Sequence, residues 1–140
     1  MEAKFSQRVK DVLVYSREEA QRLGNDYIGL EHLLLGIIRD GEGLAIKIMR
    51  NLHVDIPEVR KRVEMAVASN KEKISGGENL PLIKQAERAL KITYLEAKLF
   101  NSELIGTEHL LLSILKDENN LVTKTFLSYG VSYELVKDEL

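Results

Sequence analysis

Apolar positions along the chain recur at three- and four-residue steps. Phe5, Val9, Val12, Leu13, Ser16, Ala20 and Leu23 keep that spacing, which predicts an amphipathic helix over residues 6–23. Ser6 stands where a hydroxyl caps the first turn, and Gly24 where a left-handed residue closes a helix. A second helix is predicted over 30–39. Its Leu33-Leu34-Leu35 and Ile37-Ile38 leave almost no polar face, so it should be the most buried element. Asp40-Gly41-Glu42-Gly43 breaks the chain before a short helix at 44–51. Asp55-Ile56-Pro57-Glu58 has the pattern of a capping box with proline in the first turn, opening a fourth helix to about residue 68. The plan then returns, with helices expected near 82–100, 107–116, 121–129 and from 132 to the end. No segment alternates so as to favour a strand over a helix.

That return is a repeat. Residues 28–40 read IGLEHLLLGIIRD and residues 105–117 read IGTEHLLLSILKD, identical at nine of thirteen positions with a constant offset of 77. Two copies of one supersecondary unit stack because neither buries its apolar face alone. The expectation is an all-α fold in a single domain spanning 1–140: two four-helix repeats, 5–69 and 80–140, packed as a bundle about a pseudo-twofold axis. Between them, residues 70–79 (NKEKISGGEN) are polar, carry paired glycines and read as a linker. The same register sets residues 136–140 on the interior of the fourth helix. The closing Lys137-Asp138-Glu139-Leu140 is therefore read as helix and not as an ER-retention address. It also leads us to expect a longer protein, of which this chain is a piece.

Composition narrows the function classes. Twenty basic residues against 22 acidic give −2, so no net basic field recruits nucleic acid. No apolar run approaches the ~20 residues of a membrane span, and the first residues lack the apolar stretch of a signal peptide. No membrane partner is expected, and a cytoplasmic address is. With no cysteine, disulfides and thiolate chemistry are excluded.

Motifs for catalysis are absent: no Walker A loop, Gly-x-Ser-x-Gly elbow, His-Glu-x-x-His or Rossmann glycine pattern. Glu31-His32 and Glu108-His109 sit about 100° apart on a helix and do not face each other as dyads. His32 and His109 read as buried packing or hydrogen-bonding residues, and His53 as a solvated turn residue. The glutamates are more informative. Each follows Ile-Gly-x at the start of the most apolar helix, where free N–H groups attract an anion. A carboxylate beside them suits a ligand both cationic and anionic, such as a phosphorylated guanidinium or an arginine beside a carboxylate. The plainer alternative is that Gly29 and Gly106 permit a tight turn and the glutamates favour the helix dipole.

These strings resemble the duplicated Clp N-terminal repeat, and the stretch from Arg17 to Gly24 agrees with it. The Gly-x-Glu-His-Leu-Leu-Leu-Gly form followed by Arg-Asp-Gly-Glu-Gly is most similar to the ClpC branch. The resemblance implies the N-terminal domain of an AAA+ unfoldase. Such a domain binds protein substrates and adaptor proteins and delivers them to an ATPase ring working with the ClpP peptidase. ATP and Mg would belong to ATPase modules outside this chain, which is itself expected to bind no cofactor or metal, to catalyse nothing and to be monomeric. Some relatives recognise phosphoarginine through the glutamate of each Gly-Thr-Glu-His motif, which here means Glu31 and Glu108 with Gly29 and Gly106. Thr107 completes the motif in repeat two, whereas repeat one has Leu30. Where the family has Phe-Thr ahead of each first helix, this chain has Phe5-Ser6 and then Leu82-Ile83. Phe5 and Leu82 also mark an apolar surface for an adaptor or unfolded segment; the alternative is that both are core anchors of their helices, the reading favoured for Phe5. The competing readings are an acid–base enzyme and a freestanding helical interaction module.

Overall fold

Among the described residues, 4–68 and 80–140 of a computed structural model, the chain forms eight helices. They are α1 (Gln7–Arg22), α2 (Leu30–Asp40), α3 (Leu44–Asn51), α4 (Ile56–Val67), α5 (Lys84–Leu99), α6 (Thr107–Lys116), α7 (Leu121–Ser128) and α8 (Tyr133–Asp138). The expected linker at 70–79 lies outside the described residues. Local chemistry explains most boundaries. The Ser6 hydroxyl accepts the Val9 N–H and the Asp55 carboxylate accepts the Glu58 N–H, each satisfying an amide of a first turn. Gly24, at φ +77°, and Gly41, at φ +70°, take the left-handed conformation after α1 and α2.

α1 packs along α2 and α5 along α6, while α3 reaches α6 and α4 reaches α7. α2 and α6 occupy the middle, with Leu33, Leu34, Ile37, Leu110, Leu111, Leu112 and Ile114 fully buried in a core shared by both repeats. α1 and α2 approach so closely that a Cβ at Gly36 would sit 2.6 Å from the Val12 carbonyl oxygen. At the matching place in repeat two, the Ser113 hydroxyl donates to the Ala89 carbonyl.

The sequence predicts no strands, yet two short ones form. β1 (Lys4–Phe5) pairs in parallel with β2 (Leu104–Ile105), Phe5 in register with Ile105. Two-residue strands are too short for alternation to show in a sequence. A single bridge likewise joins Ile28 and Leu82. Apolar spacing places Leu82 inside the fifth helix. It precedes that helix instead, because the Ile83 N–H donates to the Ile28 carbonyl and the Ile28 N–H to the Pro81 carbonyl, which holds this segment extended. The two pairings are related by the 77-residue offset: the lead-in of each repeat joins the motif segment of the other. That exchange is what a twofold relation between the copies requires.

Candidate functional site at the starts of helices α2 and α6

Each Gly-x-Glu-His motif opens a central helix. Gly29 and Gly106 are the N-cap residues, both extended, and neither has a side chain to offer the first turn. The histidine at the third helical position acts instead. His32 Nδ1 accepts the Gly29 N–H at 2.9 Å, and His109 Nδ1 accepts the Gly106 N–H at 2.9 Å. This is the reciprocal half of a capping box, with histidine in place of the usual Glu or Gln. A ring that accepts at Nδ1 is neutral and protonated on Nε2. In His32 that Nε2–H donates to Asn25 Oδ1 at 2.8 Å, while the Asn25 amide donates to the Val67 carbonyl at the end of α4. Burial lowers the pKa of His32 to about 4, against the opposing field of Glu19, and burial lowers that of His109.

With the histidines engaged as caps, the glutamates are left facing outward. Glu31 and Glu108 are half-buried, and among the described residues neither carboxylate has a hydrogen bond or ion pair. Both lean back over the N-cap glycine. A Cβ at Gly29 would stand 2.9 Å from Glu31 Oε1, and one at Gly106 would collide with the Glu108 carboxylate. The glycines are thus needed less for φ, which is extended at both, than for the room they leave beside a carboxylate. The result, among the described residues, is an unpartnered anion beside the first two amides of its helix, since the third-position amide already donates to the N-cap glycine carbonyl. Such a place accommodates a group carrying charges of both signs.

The surroundings of the two glutamates differ. Beside Gly29, the Tyr27 ring and the Ile83 side chain lie within 3.4 Å of where a Cβ would be. Burial raises the Tyr27 pKa, with the charge of Glu31 adding to it. On the other side, the Ser6 N–H donates to the Ile105 carbonyl at 3.0 Å, so Ser6 sits against the strand leading into Gly106 and Glu108. Phe5 is half-buried and packs at a tilt against Tyr94, with ring centroids 5.2 Å apart. Leu82, also half-buried, lines an apolar cleft of about 280 Å³ with Leu13, Val14, Ile28, Leu33 and Leu90. The backbone of Ser6 in repeat one is therefore tied to the segment that leads into the motif of repeat two, while its hydroxyl caps α1.

Thr107 is 2% exposed, and its Oγ1 accepts the Ala45 N–H at 3.1 Å. That bond caps α3, whose own N-cap is Gly43 at φ +94° with no side chain. In repeat two, Asn120 stands in the place of Gly43 and caps α7 by accepting the Thr123 N–H at 2.8 Å. With α7 capped locally, repeat one does not need a hydroxyl at Leu30, which is buried. The sequence offers the Thr107 hydroxyl either as a helix cap or as a phosphate contact; the structure shows it capping, on α3 through Ala45. A comparison of caps at the 77-residue offset carries the signal, since the copy that lacks Asn faces the copy that gains Thr.

Among the described residues no cluster of His, Asp and Glu is arranged to hold a metal ion, and no helix is long and apolar enough to cross a membrane. A family model, the Clp repeat (R) N-terminal domain, matches residues 4–128. The chaperone protein ClpB of Oceanobacillus iheyensis is 30% identical over 140 residues, covering all of this chain and 17% of that protein. The negative regulator of genetic competence ClpC/MecB of Bacillus subtilis is 29% identical, also over the whole chain and 17% of its own length. The chain thus spans about a sixth of these curated relatives, and the two identities do not separate a ClpB from a ClpC affiliation. Among solved structures, the N-terminal domain of ClpD from Arabidopsis thaliana superposes with a TM-score of 0.72. That match is 18% identical and covers 96% of this chain and 90% of the other. Duplicated motif, interlocked repeats and family match agree: this chain belongs to the Clp repeat N-terminal domain family.

Proposed function

We propose that this domain receives protein substrates and adaptor proteins for an ATP-dependent, ClpC-type unfoldase that delivers them to the ClpP peptidase. In this reading the domain performs no catalysis itself and takes phosphoarginine on marked substrates at Glu108 and, with a different surround, at Glu31. One observation carries it: among the described residues each glutamate lies unpartnered over an N-cap glycine, at a helix start whose first two amides lack intrahelical acceptors. The carboxylate would hold the guanidinium, with charge-assisted hydrogen bonds, and the helix start would hold the phosphate. Ser6 supports the Glu108 site as the better of the two, since its hydroxyl retains a proton to donate while accepting the Val9 N–H.

Calorimetry with free phosphoarginine tests the ligand. Binding to the domain is expected, with Glu108→Ala weaker by at least about tenfold, ~1.4 kcal/mol. Equal binding by the variant would remove Glu108 from the site, and no heat at millimolar ligand would remove phosphoarginine from the function. The second reading, a freestanding helical interaction module, is separated by the genomic sequence downstream of codon 140. Two Walker A motifs there support the unfoldase, and a stop codon supports the module.

A further inference from the structure

The outer face of α5 carries a line of cations that the fold does not use. Lys84, Arg88, Lys91 and Lys98 are exposed, and among the described residues none has an ion-pair partner. Their spacing of four, three and seven residues keeps them within one narrow arc of the helix, over about 21 Å of its length. Leu95, 58% exposed, falls inside that arc, and it is bordered on one side by Leu99, 63% exposed, and on the other by the exposed Glu87. Helix stability does not account for this face. Lys84 and Arg88 occupy the first turns, where positive charge opposes the helix dipole, and two exposed leucines contribute nothing to the core. Nor is the face a feature of the repeat as such. The equivalent positions on α1 are Gln7, Asp11, Val14, Glu18 and Gln21, with Arg22 in place of Leu99.

We infer that this face of α5 is a docking surface for an acidic, amphipathic helical segment of a partner protein, with glutamates or aspartates along the cations and apolar residues on Leu95 and Leu99. The inference rests on the reading of this domain as one that docks proteins. Charge complementarity selects the occupant, through opposite charge at close range and faster encounter. A long polyanion is disfavoured, because the chain as a whole carries −2 and would repel it beyond the stripe. A second copy is disfavoured because the acids on its α1 are engaged: Glu18 pairs with Arg39 at 2.8 Å and Asp11 accepts from Gln7.

The probe is a fluorescein-labelled helical peptide with glutamates at three- and four-residue spacing and two leucines, read by anisotropy. Its lysine-for-glutamate counterpart is the control. The acidic peptide is expected to bind and the control not to bind. The variant K84E/R88E/K91E should bind at least about tenfold more weakly. These reversals lie on exposed positions and suit the helix dipole at the N-terminal end, and Arg88→Glu alone repeats the test with a smaller change. The E31A/E108A variant, which tests the phosphoarginine reading, should bind the peptide as the parent does. Loss of phosphoarginine binding with peptide binding retained would leave this surface standing. Equal peptide binding by parent and charge-reversed protein would overturn it. So would attachment to phosphatidylglycerol vesicles, or dimerisation in sedimentation, that is lost on reversal while the peptide does not bind.

Discussion

Thr107 shows how far a single residue's role depends on what lies across the fold. In the motif it stands next to Glu108, and the resemblance makes it a binding residue. In the structure its hydroxyl is turned inward to the Ala45 N–H, and the side chain is almost completely enclosed. The hydroxyl that distinguishes repeat two from repeat one at this position therefore stabilises α3 of the other repeat. Thr107→Val keeps the shape, removes the acceptor and leaves a buried amide unpaired. We expect a loss of about 1–2 kcal/mol in urea unfolding, with phosphoarginine affinity unchanged. A tenfold fall in affinity at unchanged stability would return Thr107 to the site. Glu31 and Glu108 show the opposite balance. Among the described residues they hold no hydrogen-bond or ion-pair partner, so their substitution should spare stability and alter binding.

At the scale of the element, the start of α2 depends on a neutral histidine. The fully buried His32 ring accepts the Gly29 N–H, and its pKa is lowered from 6.5 to about 4. The unfolded chain takes up a proton near pH 6.5, whereas the folded chain does so near pH 4. Between these values the unfolded state binds more protons, so stability falls as the pH drops through this window. His32 is expected to contribute on the order of 3 kcal/mol of such loss by pH 4, and burial makes His109 act in the same direction. Urea unfolding at pH 7 and at about pH 5 measures the effect before most carboxylates titrate. His32→Gln keeps an acceptor at the third helical position without titrating, so its dependence over this range should be shallower. A slope identical to the parent's would show that His32 is not the titrating group. The helices themselves follow from apolar spacing and caps: α3 and α6 begin and end where the pattern places them, and α2 extends one residue further. α5 starts later than the pattern indicates, because residues 82 and 83 are held extended by hydrogen bonds to Pro81's partner segment at Ile28.

Across the whole molecule the two repeats exchange their lead-in segments. β1 of repeat one lies on β2 of repeat two, and residue 82 bridges back to residue 28. Thr107 adds a third tie in the same sense, and the core is continuous between the halves. Neither repeat should therefore fold cooperatively alone. Fragments 1–69 and 80–140 are each expected to show weak helical signal by circular dichroism and to regain it on mixing. A sharp, independent thermal transition in either fragment would contradict this. The exchange also makes each candidate site composite, bringing Ser6 to the motif of Glu108 and Ile83 to that of Glu31.

The sequence by itself determined the all-α class, the duplication and the central burial of α2 and α6. These follow from apolar periodicity and local capping, which act between residues a few positions apart. It also singled out Glu31 and Glu108, because a glycine and a carboxylate at a helix start are neighbours in the chain. Tertiary structure alone decided which repeat completes which motif and that the threonine hydroxyl faces inward. Those outcomes depend on hydrogen bonds between residues 62 and about 100 positions apart, such as Thr107 with Ala45 and Ser6 with Ile105. No local spacing encodes such bonds, since they exist only once the two copies have packed.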